Sequence, residues 1–348
     1  MLHRIILLSF VIINLHTILY TVEKIPNIIP KTVSLACDSQ GYPTRNALKA
    51  LVAAQYLHKL NSDNITVKEI TGGLYSEKLY VVISKHNGQK NPLLFFKISK
   101  KSQSTKNLIE IQDGPIGQKF RDLNDINNFS ALSKQNLPVI IWLENVLLYQ
   151  NEGGSKKTIE VTPAAQGQLA QDILDSHDLH TIKKAAFAIG KSLASFHQLF
   201  MDYNDSANPS DWTTVCHGDF GIKNVLFNPV THKVYFIDNE GMNVNSIHQD
   251  INAILTSFCM LLYLKKHYAT RWPLYIQHCL SFLKGYIESY PADQRTDLAC
   301  FIEGILNKDL KKVLARRFTT DDSPTSKYFN EKEFKKIIYN YLHTFNQK

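Results

Sequence analysis

The segment that most constrains the fold is residues 217–224, which read H-G-D-F-G-I-K-N. A second acidic residue, Asp238, ends the next apolar, strand-like run, Y-F-I. Phosphoryl transfer needs one carboxylate at the attacking hydroxyl, then an amide oxygen and another carboxylate at a metal ion. The order predicts Asp219 as the catalytic base. It also predicts Asn224 and Asp238 as ligands of Mg²⁺, which prefers oxygen donors.

The motif also carries a family resemblance. H-G-D-x-x-x-x-N followed by I-D-N-E resembles the aminoglycoside phosphotransferase and choline-ethanolamine kinase branch of the protein-kinase-like superfamily, and the resemblance extends over roughly residues 65–260. It implies an α+β, two-lobed protein-kinase-like fold with a small β-rich N-lobe and a larger, mainly helical C-lobe. We predict an N-terminal lobe over residues 22–161, which covers the nucleotide. A C-terminal lobe over residues 162–348 would carry the catalytic loop, metal and acceptor sites.

A candidate phosphate loop lies upstream. Gly72 and Gly73 stand between two strand-like runs, residues 65–70 and 79–83. Adjacent glycines between strands allow backbone N–H groups to approach phosphates closely. The G-G-L-x-x-x-x-L-Y-V-V stretch looks like the corresponding loop of choline and ethanolamine kinases, so the resemblance implies that Gly72 and Gly73 contact ATP.

Lys97 interrupts the apolar strand L-L-F-F-K-I-S. A lysine among large apolar residues is costly to bury unless it is paired. One interpretation is an edge strand whose lysine faces water. The other, which the kinase resemblance favours, is a contact with the ATP phosphates together with an ion pair to a carboxylate on the next helix. Our candidate for that carboxylate is Glu110, with Glu77 and Glu144 as alternatives.

Further positions follow from the implied architecture. The crossing between lobes of such a fold holds adenine through backbone groups, which makes Val161 to Ala164 candidates by position. A helical stripe over residues 181–200 ends in L-A-S-F-H, and we interpret His197 as structural. Asp250, at the start of the next helix, is predicted to brace the catalytic loop, to cap its own helix, or both.

The first residues predict targeting rather than fold. Two basic side chains precede the apolar run I-I-L-L-S-F-V-I-I, which is typical of a secretory signal peptide. We predict a signal peptide or anchor over residues 1–21, with a secretory or extracellular location. An uncleaved membrane anchor and a buried helix of an intracellular protein are the alternatives. The membrane is expected as a partner only where this segment is uncleaved.

The cysteines and the net charge give little further information about function. The 5 cysteines are scattered and show no C-x-x-C spacing, which argues against a disulfide framework and a zinc site. A formal net charge of +8 indicates attraction to anions, but nucleotide is itself an anion. No nucleic-acid motif accompanies the charge. From Asp250 onward Lys and Arg outnumber Asp and Glu, which mildly disfavours a polycationic aminoglycoside as substrate.

Together these patterns predict a kinase that transfers the γ-phosphate of ATP, with Mg²⁺, to a hydroxyl of a small molecule. Choline- or ethanolamine-like alcohols come first, then sugars or aminoglycosides. Two alternatives stay open, namely an exported kinase acting on protein or peptide, and a catalytically inactive kinase-like binding module. The second requires decay of the site, yet Asp219, Asn224, Asp238 and Lys97 are all present. The sequence does not indicate an oligomeric state.

Overall fold

The structure is a computed structural model, and it describes twelve segments of the chain. They are residues 32–55, 64–70, 76–86, 89–99, 145–150, 156–164, 167–175, 178–202, 208–238, 241–264, 272–307 and 331–345. The predicted signal peptide lies outside these segments.

The N-terminal part is a six-stranded sheet. Its strands are β1 (Thr32–Ser34), β2 (Ile65–Ile70), β3 (Ser76–His86), β4 (Gln89–Ser99), β5 (Asn145–Gln150) and β6 (Lys156–Pro163). The order across the sheet is β1-β5-β6-β4-β3-β2, antiparallel except for the β1–β5 pair. Helix α1 (Arg45–Gln55) completes this part.

One face of the sheet packs against α1 to form a small core. Val82, Phe96 and Ile159 come from three different strands and join Leu48 and Val52 of the helix, and all five are fully buried. Side chains alternate between the two faces of a strand. Phe96 and Ile98 are buried, so Lys97 between them lies on the opposite face.

The C-terminal part is mainly helical. Its helices are α2 (Ala170–Asp175), α3 (Leu179–Leu199), α4 (His248–Leu264), α5 (Trp272–Ile287), α6 (Arg295–Ile305) and α7 (Glu331–His343). Two short sheets join them. One consists of β7 (Gln168–Leu169), β9 (Val225–Phe227) and β10 (Val234–Phe236), and the other of β8 (Thr213–Cys216) and β11 (Asn243–Ser246).

Helices α3 and α5 approach each other at two glycines. A Cβ atom added at Gly190 would lie 2.0 Å from the Phe282 carbonyl oxygen, and one at Gly285 would lie 2.1 Å from the Phe187 carbonyl oxygen. Only glycine permits backbones this close. The contact fixes α3, and therefore His197 near its end, against α5.

The predicted α+β class, with a β-rich N-terminal part and a larger, mainly helical C-terminal part, is confirmed. The strand predicted at residues 65–70 is present as β2, and the helix predicted at residues 181–200 is α3. Among the described residues, no helix has the length and apolar character needed to cross a membrane.

Candidate active site

The candidate active site begins where β8 ends and residues 217–224 form a loop. Gly218 has φ +84, a left-handed conformation that glycine adopts without strain. A Cβ atom there would lie 1.9 Å from the Gly241 carbonyl oxygen. The H-G-D order therefore has a steric reason, because the middle position has no room for a side chain.

Asp250 holds the backbone of this loop. Its carboxylate is fully buried and accepts hydrogen bonds from the N–H of His217 at 2.7 Å and of Gly218 at 3.0 Å. Burial alone raises the pKa of Asp250, but the hydrogen bonds from His197 and the His217 N–H outweigh it, so its pKa lies below the usual range. The predicted bracing role of Asp250 is supported by these contacts.

A second layer of side chains orients Asp250. His197 Nε2 lies 3.1 Å from Asp250 Oδ2, and His197 Nδ1 lies 2.8 Å from the Tyr286 hydroxyl. The Tyr286 hydroxyl in turn lies 3.0 Å from that of Tyr290. All four side chains are buried. His197 is therefore a structural residue, as its position at the end of α3 indicated.

His197, Cys216 and Asp250 also offer ligand atoms within 4.8 Å of one another. Each of these atoms is already used in a hydrogen bond, and Cys216 Sγ donates to the Ser246 carbonyl oxygen at 3.3 Å. Burial raises the pKa of the Cys216 thiol, which opposes the thiolate that a metal requires. The group is best explained as the packed support of the catalytic loop.

Asn224 fixes the carboxylate of Asp219. Its Nδ2 donates to the Asp219 carbonyl oxygen at 2.8 Å and to Asp219 Oδ2 at 3.0 Å. Asn224 is 4 % exposed, whereas the Asp219 side chain is 58 % exposed. A buried amide thus positions a carboxylate that faces solvent, and the amide oxygen Oδ1 of Asn224 remains for a cation.

Asp238 lies next to this loop because the Ile237 N–H donates to the Asn224 carbonyl oxygen at 2.9 Å. Asp238 has φ +64, a conformation uncommon for residues other than glycine. Its Oδ1 accepts a hydrogen bond from Lys97 Nζ. The side chains are 15 % exposed for Lys97 and 32 % for Asp238. This ion pair joins the N-terminal sheet to the C-terminal loop.

Lys223 adds a positive charge that the motif did not indicate. Its Nζ lies 3.0 Å from Asp219 Oδ2, and its side chain is 57 % exposed. The short 3₁₀ turn Ile222–Asn224 explains the arrangement, because Ile222 and Asn224 point inward and Lys223 points outward. Asp219 Oδ2 therefore has two donors, while Oδ1 has none among the described residues.

The other predicted site residues are distributed as follows. Val161 is buried in β6 between β4 and β5, in register with Phe96 and Asn145. The Ala164 N–H donates to the Leu93 carbonyl oxygen at 2.8 Å, so a contact of Ala164 with adenine would use its carbonyl oxygen. Gly72, Gly73 and Glu110 lie outside the described residues, as does Glu144.

Comparisons with known proteins agree with this geometry. Residues 142–285 match the ecdysteroid kinase-like family. The match covers β5 and β6, the catalytic loop and α3 to α5, and it confirms the resemblance that the H-G-D motif indicated. Comparison with curated proteins gives no match.

Three solved structures illustrate the similarity. An aminoglycoside-3'-phosphotransferase of type VIII is 17% identical, with TM-score 0.38, over 72% of this chain and 95% of that one. The amicoumacin kinase hAmiN is 12% identical, with TM-score 0.40, over 88% and 98%. A Plasmodium vivax ethanolamine kinase is 12% identical, with TM-score 0.38, over 89% and 93%.

Proposed function

We propose that this protein is an ATP- and Mg²⁺-dependent kinase that phosphorylates a hydroxyl of a small molecule. The observation that carries the proposal is the junction of the two parts of the chain. Asp219, Asn224 and Asp238 lie together there, and Lys97 contacts Asp238 from the sheet. Phosphoryl transfer consists mostly of positioning and of neutralising charge on the phosphate oxygens. These four side chains provide the base, the metal ligands and a cation.

The donor set fits a magnesium ion. Asn224 Oδ1 is a neutral oxygen, and the Asp238 carboxylate supplies charged oxygens, which are the ligands that Mg²⁺ prefers. When bound, the ion would neutralise charge on the ATP phosphates. Lys97 would contact the same phosphates while remaining close to Asp238.

Asp219 would accept the proton of the acceptor hydroxyl. Its Oδ2 is fixed by Asn224 and Lys223 at 3.0 Å each. The free oxygen, Oδ1, is therefore the one available to the hydroxyl, and the exposed position allows an acceptor to reach it. Because the amide of Asn224 is buried, the direction of the carboxylate is set before the acceptor arrives.

The charge of Lys223 affects which class of acceptor can bind next to Asp219. A molecule whose hydroxyl reaches Asp219 also comes close to the Lys223 ammonium group. That positive charge disfavours acceptors that are themselves cationic, such as choline, ethanolamine or an aminoglycoside. Uncharged alcohols are favoured, and the match to the ecdysteroid kinase-like family adds an ecdysteroid to those worth testing.

The test is ATP turnover by the full chain with Mg²⁺ against ecdysteroids, sugars, choline, ethanolamine and an aminoglycoside. We expect turnover with one uncharged acceptor class. It should fall at least about 10³-fold in Asp219→Asn. Asp293→Asn, which changes an exposed acid in the same part of the chain, should keep full activity.

Two results would contradict the proposal. Magnesium-dependent ATP binding without turnover of any small acceptor would favour a peptide substrate or a binding module. Equal turnover in Asp219→Asn and the unsubstituted protein would mean that Asp219 is not the base.

A further inference from the structure

Helix α3 has an outer face of unusual composition. The residues of this helix that are exposed share a basic or large apolar character: Leu179, His180, Lys183, Lys184, Phe187 and Lys191. Its 21 residues, LHTIKKAAFAIGKSLASFHQL, contain no acidic side chain. We refer to these six residues as the α3 outer face.

The six residues form one continuous strip. At 3.6 residues per turn they lie within an arc of about 140°, with Phe187 near its centre and lysines on both sides. Phe187 is 37% exposed and Leu179 is 38% exposed. The opposite side of the helix, including Ile182, Ile189 and Leu193, is buried in the core. The fold therefore uses the inner side of α3 and leaves these two apolar side chains partly exposed to solvent.

The lysines give this strip a positive charge. None of Lys183, Lys184 and Lys191 has an ion-pair partner among the described residues. Lys284 of α5 adds a fourth lysine beside the strip, because Gly285 touches the backbone of Phe187. Its Nζ lies 3.9 Å from Glu288 Oε1, a weak and exposed pair. Asp178, the nearest acid along the chain, caps the start of the helix.

We propose that the α3 outer face docks on an anionic lipid surface. A basic helix with Phe and Leu between its lysines has the composition of a segment that lies in the membrane interface. Lysines attract acidic headgroups, and the exposed apolar side chains enter the boundary of the acyl region. Nucleic acid fits less well, because the strip contains no Arg, the residue that binds phosphate bidentately.

The proposal does not depend on the kinase reaction, because the strip contains none of the side chains assigned to that reaction: Asp219, Asn224, Asp238 and Lys97. It also differs from anchoring by the N-terminal segment. That segment would bind neutral and acidic lipid alike, whereas the α3 outer face requires negative charge.

The experiment is co-sedimentation of the full chain with two kinds of vesicle. One consists of phosphatidylcholine alone, and the other also contains about 30 % phosphatidylserine, to represent an anionic leaflet. The test variant is Lys183→Gln/Lys184→Gln/Lys191→Gln. The control is Lys68→Gln/Lys85→Gln/Lys233→Gln, which removes the same charge from three other exposed lysines. We expect about 100-fold weaker binding to acidic vesicles in the test variant and about 3-fold or less in the control.

Phe187→Ser gives a second, independent measure. Since this side chain is outside the core, the variant should fold normally and bind acidic vesicles about 5-fold more weakly. Equal losses in the two triple variants would overturn the proposal, because net charge alone would then explain binding. Equal binding of the unsubstituted protein and the test variant to acidic vesicles would overturn it as well. So would a result in which the test variant loses affinity for a 20-base-pair DNA duplex but not for acidic vesicles.

Discussion

The two parts of the molecule contribute to the site in different ways. In the C-terminal part, Asp250, His197 and Tyr286 are fully buried and support the catalytic loop through a continuous chain of hydrogen bonds. The sheet contributes Lys97 through an ion pair whose partner, Asp238, is 32 % exposed. A buried network fixes its geometry when the chain folds. A partly exposed pair can be exchanged when phosphates arrive.

This difference leads to a general expectation. Substitutions at the sheet side of the site should reduce activity and leave stability almost unchanged. Substitutions in the buried network should reduce stability and activity together.

Among substitutions that separate the sheet side from the buried network, the largest effect is expected for Lys97→Met. Removing the ammonium group takes away the cation next to the ATP phosphates, so kcat/KM for ATP should fall by about 10²- to 10³-fold. The unfolding temperature should change by less than about 2 °C, because a partly exposed ion pair contributes little to stability. Steady-state kinetics and thermal unfolding measure both quantities.

Lys85→Met is the control, an exposed lysine in the neighbouring strand β3. It should leave both kinetics and stability unchanged. A large drop in stability with unaltered kinetics in Lys97→Met would show that Lys97 serves the fold rather than the nucleotide.

Asp250→Asn, in contrast to Lys97→Met, should reduce stability as well as activity. The amide removes the charge that accepts hydrogen bonds from two loop N–H groups and from His197, so the free energy of unfolding should fall by about 2 kcal/mol. Because the pKa of Asp250 lies below its usual value, this contribution is present above about pH 4 and is lost as the pH falls through the folded pKa. Denaturant unfolding at pH 7 and at acidic pH measures it. A variant as stable as the parent would contradict the bracing role.

At pH 7 the smallest effect concerns His278, buried in α5, because its contribution changes only at more acidic pH. Burial lowers its pKa to about 3, from 6.5 in an exposed chain. The unfolded chain therefore takes up a proton first as pH falls, and folding stability is lost from about pH 6.5 downward, by up to about 1.4 kcal/mol per pH unit. His278→Met should flatten this slope between pH 6.5 and 4.5. His232→Gln, at an exposed position, should leave it unchanged, and an identical slope in His278→Met would contradict the prediction.

The sequence predicts best those features that are formed by residues close together along the chain. Asp219, Asn224 and Asp238 lie close along the chain, and the hydrogen bond from Asn224 to Asp219 spans 5 residues. Periodicity likewise locates β2 and α3. These features depend on neighbouring residues, which a single sequence displays directly.

The sequence does not predict contacts between segments that are far apart along the chain. Tyr286 meets His197 across 89 residues, and Lys97 meets Asp238 across 141. The sequence predicts a metal ligand at Asp238, and nothing local marks this residue as a partner of Lys97. Lys223 stands inside the motif, but its contact with Asp219 depends on the 3₁₀ turn that directs it outward. That turn is set by the packing of Ile222, which only the folded chain reveals.

We propose that Asp238 and Lys97 form the nucleotide side of a magnesium-dependent site. Calorimetric titration of the full chain with ATP, with and without Mg²⁺, tests it most directly. We predict that Mg²⁺ tightens ATP binding at least about tenfold in the unsubstituted protein and that Asp238→Asn abolishes this difference. ATP binding that is unaffected by both Mg²⁺ and Asp238→Asn would contradict the account.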